Sequence, residues 1–363
     1  MYYGGLDVHT QYVTVAVLDK TGALVLEDTV STREPERLRA VLARFRPLTV
    51  VVEACNLWPW LHELLVPRGI TFRLAHATKL RAIATSAQKS DAVDARLLAR
   101  MLLTGLIPPA YPKTAEQLER MRLVRHRTSL VRDRTRLANR IHSQLQQRNI
   151  VLAREQLLRQ ETRQWLQTRA WAELSEEQQA QLTSHFALIA QLDVFVHTLD
   201  RRIRQVARTD PATRLLQTIP GIGPFWALLL TTELLPLERF ASPAHLVSYA
   251  GLAPRTRSSG GKTRHGAVPA GANRWVRWAL VSAIPTHVRH APTSPLTQYY
   301  QRLTARLGWP TARVAAARKL ARSLYHMLRT ETPWRPAARE DVTTDRDELR
   351  EVTAAAAAFS SSD

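Results

Sequence analysis

The chain predicts an α/β domain followed by a helical region, and three observations carry that expectation. In the first hundred residues, short β-branched runs such as Thr49-Val50-Val51-Val52 alternate with stretches of helical spacing. From Tyr111 to about Arg208 the apolar residues recur at seven, as in Leu123/Val124, Leu130/Val131 and Leu137/Ala138. After Ile219-Pro220-Gly221-Ile222-Gly223, helical patterns run on to about Thr330.

The elements follow in order. Gly4 to Val8 and Tyr12 to Leu18 read as strands, the second with Val13, Val15 and Val17 alternating. Asp19-Lys20-Thr21-Gly22 reads as a hairpin turn into a third strand, Ala23 to Leu26. Glu34 to Phe45 has helical spacing through Leu38, Val41, Leu42 and Phe45, with Pro35 near its start. A strand at Thr49 to Glu53, a helix around Trp60 to Val66, a strand at Thr71 to Leu74 and a helix from Asp91 to Leu103 complete the unit. Residues 1–110 therefore form one domain, 111–208 a helical coiled-coil region and 209–330 a second domain. Residues 331–363 offer almost nothing to bury and read as a disordered tail.

The chain has 363 residues, enough for two or three domains, and a formal net charge of +20. A globular chain this basic calls for a polyanionic partner, nucleic acid before an anionic membrane surface. The lone Cys55 excludes an internal disulfide framework and any multi-cysteine zinc site, and it fits a reducing cytoplasm. No secretory leader is legible at the N-terminus, and the most apolar stretch, Phe225 to Leu235, is too short for a bilayer. The expected location is cytoplasmic, with no membrane partner.

Four carboxylates carry the first chemical signal. Asp7 and Glu53 each end an apolar strand, and Asp91 and Asp94 share one helix face at i, i+3. An acid at the lip of a core needs a compensating cation, and clustered carboxylates hold Mg²⁺ through oxygen. Singly, Asp91 is also a helix N-terminal acid favoured by the dipole, and Asp7 a turn acid before His9-Thr10. Together, in this element order, the four follow the RNase H-like nuclease plan.

Two further motifs are basic or glycine-rich. In Ile219-Pro220-Gly221-Ile222-Gly223, Gly221 and Gly223 let a turn between helices offer N–H groups to a phosphate, as in a helix-hairpin-helix. The loop Gly251 to Lys262 sets Ser258 and Ser259 among Arg255, Arg257, Lys262 and Arg264, either a phosphate cradle or a basic linker. Arg274 and Arg277 open another basic helix. Arg125, Arg132 and Arg136, between the heptad positions, read as a phosphate-backbone contact or as a solvated face, and the seam itself as a dimer contact.

On these motifs the chain resembles the DEDD transposases of the IS one-ten family, insertion-sequence recombinases described as bridge-RNA-guided. Leu6-Asp7-Val8-His9, Val52-Glu53-Ala54 and Lys89-Ser90-Asp91-Ala92-Val93-Asp94-Ala95 match the N-terminal motifs. Ile219 to Gly223 and Gly251-Leu252-Ala253-Pro254 to Gly261 match the C-terminal ones. The resemblance covers about residues 1–330 and departs from the family at Thr10, Cys55 and Ala75-His76-Ala77, none of them a proposed ligand. It implies a RuvC-like N-terminal domain, a coiled-coil connector and a C-terminal transposase domain. It implies Asp7, Glu53, Asp91 and Asp94 as ligands of Mg²⁺ or Mn²⁺, and Ser259, directly before a glycine, as the catalytic serine. The implied reaction is serine attack on a DNA phosphodiester followed by strand exchange. Donor and target DNA, a noncoding guide RNA and a homodimer or homotetramer are the implied partners. The alternative is a RuvC-like Holliday-junction endonuclease in which metal-activated water attacks and Ser259 only binds phosphate.

Overall fold

Alternation of apolar and small residues along the first strands produces a sheet buried on both faces. The computed structural model of the protein describes residues 1–83, 90–157, 159–253, 256–259, 262–265 and 271–335. The chain divides into two compact units, 1–114 and 115 onward.

The first unit holds β1 (Tyr2–Val8), β2 (Tyr12–Leu18), β3 (Leu24–Ser31), α1 (Pro35–Ala43), β4 (Leu48–Glu53), α2 (Trp58–Leu65), β5 (Thr71–Ala75), α3 (Ala77–Ile83), α4 (Asp91–Leu103) and β6 (Pro109–Ala110). Its six-stranded sheet runs in the order β3-β2-β1-β4-β5-β6. Strands β1 to β3 pair antiparallel, while β4 pairs parallel to both β1 and β5. The hairpin expected at Asp19 to Gly22 is present and the parallel strands follow it; α3 and the two-residue β6 are additions to the expected elements. Leu6, Val50 and Val52 join Leu38, Leu42, Leu61 and Leu65 on the face covered by α1 and α2. Val51 and Ala75 pack with Leu80, Leu98 and Met101 on the face covered by α3 and α4. Burial on both faces explains why β4 reads as a continuous valine run instead of an alternating one.

The second unit begins with two long helices, α5 (Ala115–Gln146) and, beyond the short α6 (Arg154–Leu157) and α7 (Gln160–Trp165), α8 (Glu176–Thr209). A Ser175–Gln178 capping box starts α8. Ion pairs fix the register: Arg127 binds Asp200 at 3.0 Å, and Arg134, one heptad on, binds Asp193 at 2.8 Å, one heptad back. The pair is therefore antiparallel. Leu137, Ile141 and Leu145 pack against Leu182, Phe186 and Ile189. Over these residues the heptad seam is thus filled by the chain's own α8. The buried stripe of α8 is Leu182, Phe186, Ile189, Val196 and Ile203, whereas Leu188 is exposed. Among the described residues, α8 is the one helix long and apolar enough to cross a membrane; its pairing with α5 through Asp193 and Asp200 accounts for it as a coiled-coil strand.

Six more helices pack on this pair, α9 (Pro211–Leu216), α10 (Pro224–Leu234), α11 (Pro243–Tyr249), α12 (Arg274–His290), α13 (Pro295–Leu307) and α14 (Trp309–Thr330), and α5 joins their core through Val124. Between α11 and α12 stands a small antiparallel ribbon of β7 (Thr256–Ser259) and β8 (Lys262–His265). The expected disordered tail lies, from residue 336 on, outside the described residues.

Candidate metal and nucleic-acid site

Gly5 decides where the acids go. Because side chains alternate along a strand, Gly5 and Asp7 share the face of β1 that α4 covers. A Cβ on Gly5 would lie 2.0 Å from the Ala95 carbonyl oxygen and 2.6 Å from the Ala99 nitrogen, so only glycine admits the helix this close. Asp91 stands one turn before Ala95 on the same helix face. The helix contact at Gly5 therefore carries Asp91 over Asp7, one pleat further along β1. Ser90 caps the helix by accepting from the Val93 N–H at 3.3 Å, which places Asp91 and Asp94 in its first turn where the dipole favours acids. Glu53 reaches the same end of the sheet by register. The last paired residues of the parallel strands are Leu6 and Val52, so Asp7 and Glu53 stand side by side just beyond them.

Ligand atoms of Asp7, His9 and Asp91 lie within 4.8 Å of one another. The His9 Nε2 is 3.0 Å from an Asp7 oxygen and 3.4 Å from an Asp91 oxygen, and the Tyr12 hydroxyl donates to Asp91 at 2.9 Å. Burial pushes the Asp7 carboxyl above its ordinary pKa; His9 opposes this, while the negative charges of Asp91 and Asp94 add to it. Attachment to the Asp91 carboxylate raises the Tyr12 hydroxyl. A half-buried carboxylate repelled by two others marks an excess of negative charge, and an oxygen-rich donor set of this kind suits a hard divalent cation. Of the four expected acids, Asp7 and Asp91 form the tight group; Asp94 acts on Asp7 through its field, and Glu53 stands beside it on the next strand.

The basic motifs lie in the second unit. The turn between α9 and α10 is closed by the Ile222 N–H donating to Ile219 at 3.0 Å. Gly221 has φ of +93°, and a Cβ there would stand 2.5 Å from the His287 nitrogen, so this glycine is required by packing on α12. Gly223, by contrast, faces open space at the start of α10. His287 is buried beneath the turn, donating through Nδ1 to the Pro220 carbonyl at 2.8 Å, with Nε2 2.7 Å from the Ser294 hydroxyl. In the β7–β8 ribbon, backbone register sets Ser259 opposite Lys262 and Arg257 opposite Arg264. Arg255 and the glycines 260 and 261 lie outside the described residues.

The expected arginine row divides. Arg125 donates to the buried Glu233 at 3.1 Å while its side chain stays 41% exposed, so this guanidinium is tied on one side to an internal carboxylate. Arg132 and Arg136 are exposed, Arg132 over the Trp275 ring and Arg136 paired with Asp133. Arg274 is exposed at the first turn of α12, and Arg277 is half-buried one turn on.

Residues 4–150 match a family model described as a transposase, the DEDD type of IS110, and residues 213–301 match one described as the transposase IS116/IS110/IS902 family. The chain belongs to the IS110 family of transposases. It is similar to the transposase for insertion sequence element IS1111A of Coxiella burnetii, 24% identical over 92% of this chain and 91% of the relative. It is also similar to a Pseudomonas aeruginosa protein described as a probable family 20 transposase, 27% identical over 92% of this chain and 98% of the relative. A Sinorhizobium fredii protein named as a transposase, y4pF/y4sB, is 28% identical over 80% of this chain and 75% of its own length.

Both matched segments of this transposase contain the features built above. The first takes in Gly5, Asp7, Glu53, Asp91 and Asp94, and the second takes in the α9–α10 turn and the β7–β8 ribbon. Sequence reasoning missed His9 and Tyr12 as members of the acid centre. The signal was available for His9, two residues after Asp7, but a strand-end histidine alone does not show that it spans two carboxylates. Tyr12 meets Asp91 across 79 residues, a contact that only the β1–β2 pairing and the approach of α4 create.

Proposed function

We propose that this protein is an insertion-sequence transposase that cuts and rejoins DNA with two chemical groups, the acid centre of the first unit and Ser259 of the second. The observation that carries the reading is the helix contact at Gly5, which brings carboxylates distant in sequence to one sheet end. The sheet order supports an RNase H-like reading of the unit, and the glycine turn between α9 and α10 supports a helix-hairpin-helix.

Asp7, Asp91 and His9 would hold a divalent cation, Mg²⁺ or Mn²⁺, with Glu53 and Asp94 completing its surroundings. Such a cation supplies charge neutralisation at a scissile phosphate. The chain's own contribution is to fix the carboxylates through the α4–β1 contact and to set His9 against Asp7, where it opposes the burial that raises the Asp7 carboxyl. In the second unit, the Ser259 oxygen forms the new bond to phosphorus as the bond from phosphorus to a sugar oxygen breaks, and the serine proton ends on that sugar oxygen. One phosphate ester replaces another, so the energy of the broken linkage is retained for rejoining. Arg257, Lys262 and Arg264, brought near Ser259 in the ribbon's sequence and register, supply positive charge for the phosphorane. Arg132, Arg136 and Arg274 are the exposed cations for backbone contact, with Gly223 at the open end of the turn. A structured guide RNA, donor and target DNA, and a homodimer or homotetramer complete the proposal.

The test is a DNA cleavage assay resolved under denaturing conditions. Wild type gives a protein–DNA adduct that survives denaturation, and Ser259→Ala gives neither adduct nor recombinant while still binding DNA. Free DNA ends with no adduct from wild type would overturn the serine step in favour of metal-activated water.

A further inference from the structure

The segment that carries Ser259 runs from the end of α11 at Tyr249, through the core residues Ala250 and Leu252, to Asn273 at the start of α12, and the two ends are tied together. The Asn273 N–H donates to the Tyr249 carbonyl at 2.7 Å. The Asn273 side-chain amide donates to the Tyr249 hydroxyl at 2.8 Å and to a Glu233 oxygen at 3.1 Å. Its carbonyl oxygen accepts from the Trp275 and Val276 N–H groups and so caps α12. One residue thus closes the loop and starts the next helix.

Beneath it lies an unexpected charge. Glu233 is the only ionisable residue of α10, in a run from Ala227 to Leu234 that is buried throughout. Its side chain is 4% exposed, and its other oxygen accepts from Arg125 of α5 at 3.1 Å. Arg239 donates to the Glu233 carbonyl and lies over the Tyr249 ring, 4.8 Å from its centre. A buried ion pair is weak evidence for stability, because an apolar pair of the same volume commonly does as well. Its value is directional: a carboxylate held by Arg125 accepts from the Asn273 amide in one orientation only, and thereby fixes where the loop begins and ends.

We infer that Glu233 and Asn273 are positioning residues for the Ser259 loop, joining α5 to the root of the segment that presents the nucleophile. The inference rests on the reading of Ser259 as the nucleophile. Neither residue touches DNA in this role; they act through the loop.

The experiment measures the rate of Ser259 adduct formation at saturating DNA, DNA affinity, melting temperature, and hydrogen exchange across residues 250–272, in full-length protein. Asn273→Asp sets a second carboxylate against Glu233. It should slow adduct formation about 100-fold, leave the DNA Kd within about threefold, and accelerate exchange in the loop. Glu233→Gln should act in the same direction. The double variant, Glu233→Gln with Asn273→Asp, reverses donor and acceptor, and should recover the rate to within about tenfold of wild type. Leu229→Ala, a core truncation in the same helix, should lower the melting temperature without this rate loss. Should Asn273→Asp fail to fold, Glu233→Gln alone decides. Normal adduct rates and normal loop exchange in the single variants would overturn the inference while leaving the serine reading intact. A wild-type protein that forms no Ser259 adduct would overturn both.

Discussion

Substituting Gly5 with alanine should dismantle the acid centre without touching any of its ligands. The added Cβ would stand 2.0 Å from the Ala95 carbonyl oxygen, where ordinary contact begins near 3.4 Å. Helix α4 must therefore retreat by about 1.4 Å, the difference between those distances, because both Ala95 O and Ala99 N belong to rigid helix backbone. Asp91 rides on the same helix. Its 2.9 Å hydrogen bond from Tyr12 and its 3.4 Å approach to His9 cannot both survive a shift of that size. Overpacking of this kind costs about 1–3 kcal/mol, a loss of several degrees in the melting temperature of the unit. Misplacing catalytic groups by about 1 Å costs on the order of 100-fold in rate. Gly4→Ala is the control one residue away: its Cβ meets a Val50 side-chain methyl at 3.1 Å, an overlap of only a few tenths of an ångström. Mg²⁺-dependent DNA cleavage should fall about 100-fold in Gly5→Ala and little in Gly4→Ala, with DNA binding unchanged in both. Wild-type cleavage by Gly5→Ala would refute the claim that this contact assembles the centre.

Other expectations follow from the same geometry. Asp7→Asn, or chelation of divalent metal, should abolish cleavage while leaving nucleic-acid binding largely intact; cleavage by either at the wild-type rate would remove the acids from the reaction. His287 is held below its ordinary pKa of 6.5 by burial, against the opposing Pro220 carbonyl. The unfolded chain therefore binds more protons than the native one between that lowered value and 6.5, so stability conferred by the neutral ring falls as pH drops through this window. Melting temperatures measured from pH 7 down to pH 5 should show a loss in wild type that is smaller in His287→Gln. Arg127→Ala should cost roughly 1 kcal/mol of stability by releasing Asp200, whereas Arg136→Ala should leave the melting temperature unchanged and weaken DNA binding with a shallower salt dependence.

Much of the first unit was legible because its signals are local. Valine alternation, the Asp19 to Gly22 turn and strand-end acids are read from a few neighbouring residues, and the order of strands and helices along the chain followed. The acid centre was legible as a list but not as a geometry. That His9 bridges Asp7 and Asp91, while Glu53 stands outside the tightest group, depends on how close α4 comes to β1, and a single glycine sets that distance. The heptads of α5 were correctly periodic, yet periodicity does not say whether the partner helix is the chain's own. The answer lay in Arg127–Asp200 and Arg134–Asp193, charge pairs 73 and 59 residues apart. Arg125 illustrates the same limit: as a residue in a basic row it resembled its exposed neighbours, but its partner Glu233 is 108 residues away and inside the core.

The most direct measurement maps the adduct itself. Wild-type protein is trapped on nicked DNA, the complex is digested with protease and nuclease, and the peptides are read by tandem mass spectrometry. The account predicts a deoxynucleotide phosphate remnant on Ser259, absent when Asp7 is replaced by asparagine. A remnant on Ser258 or a tyrosine, or denatured complexes that carry no remnant at all, would contradict it.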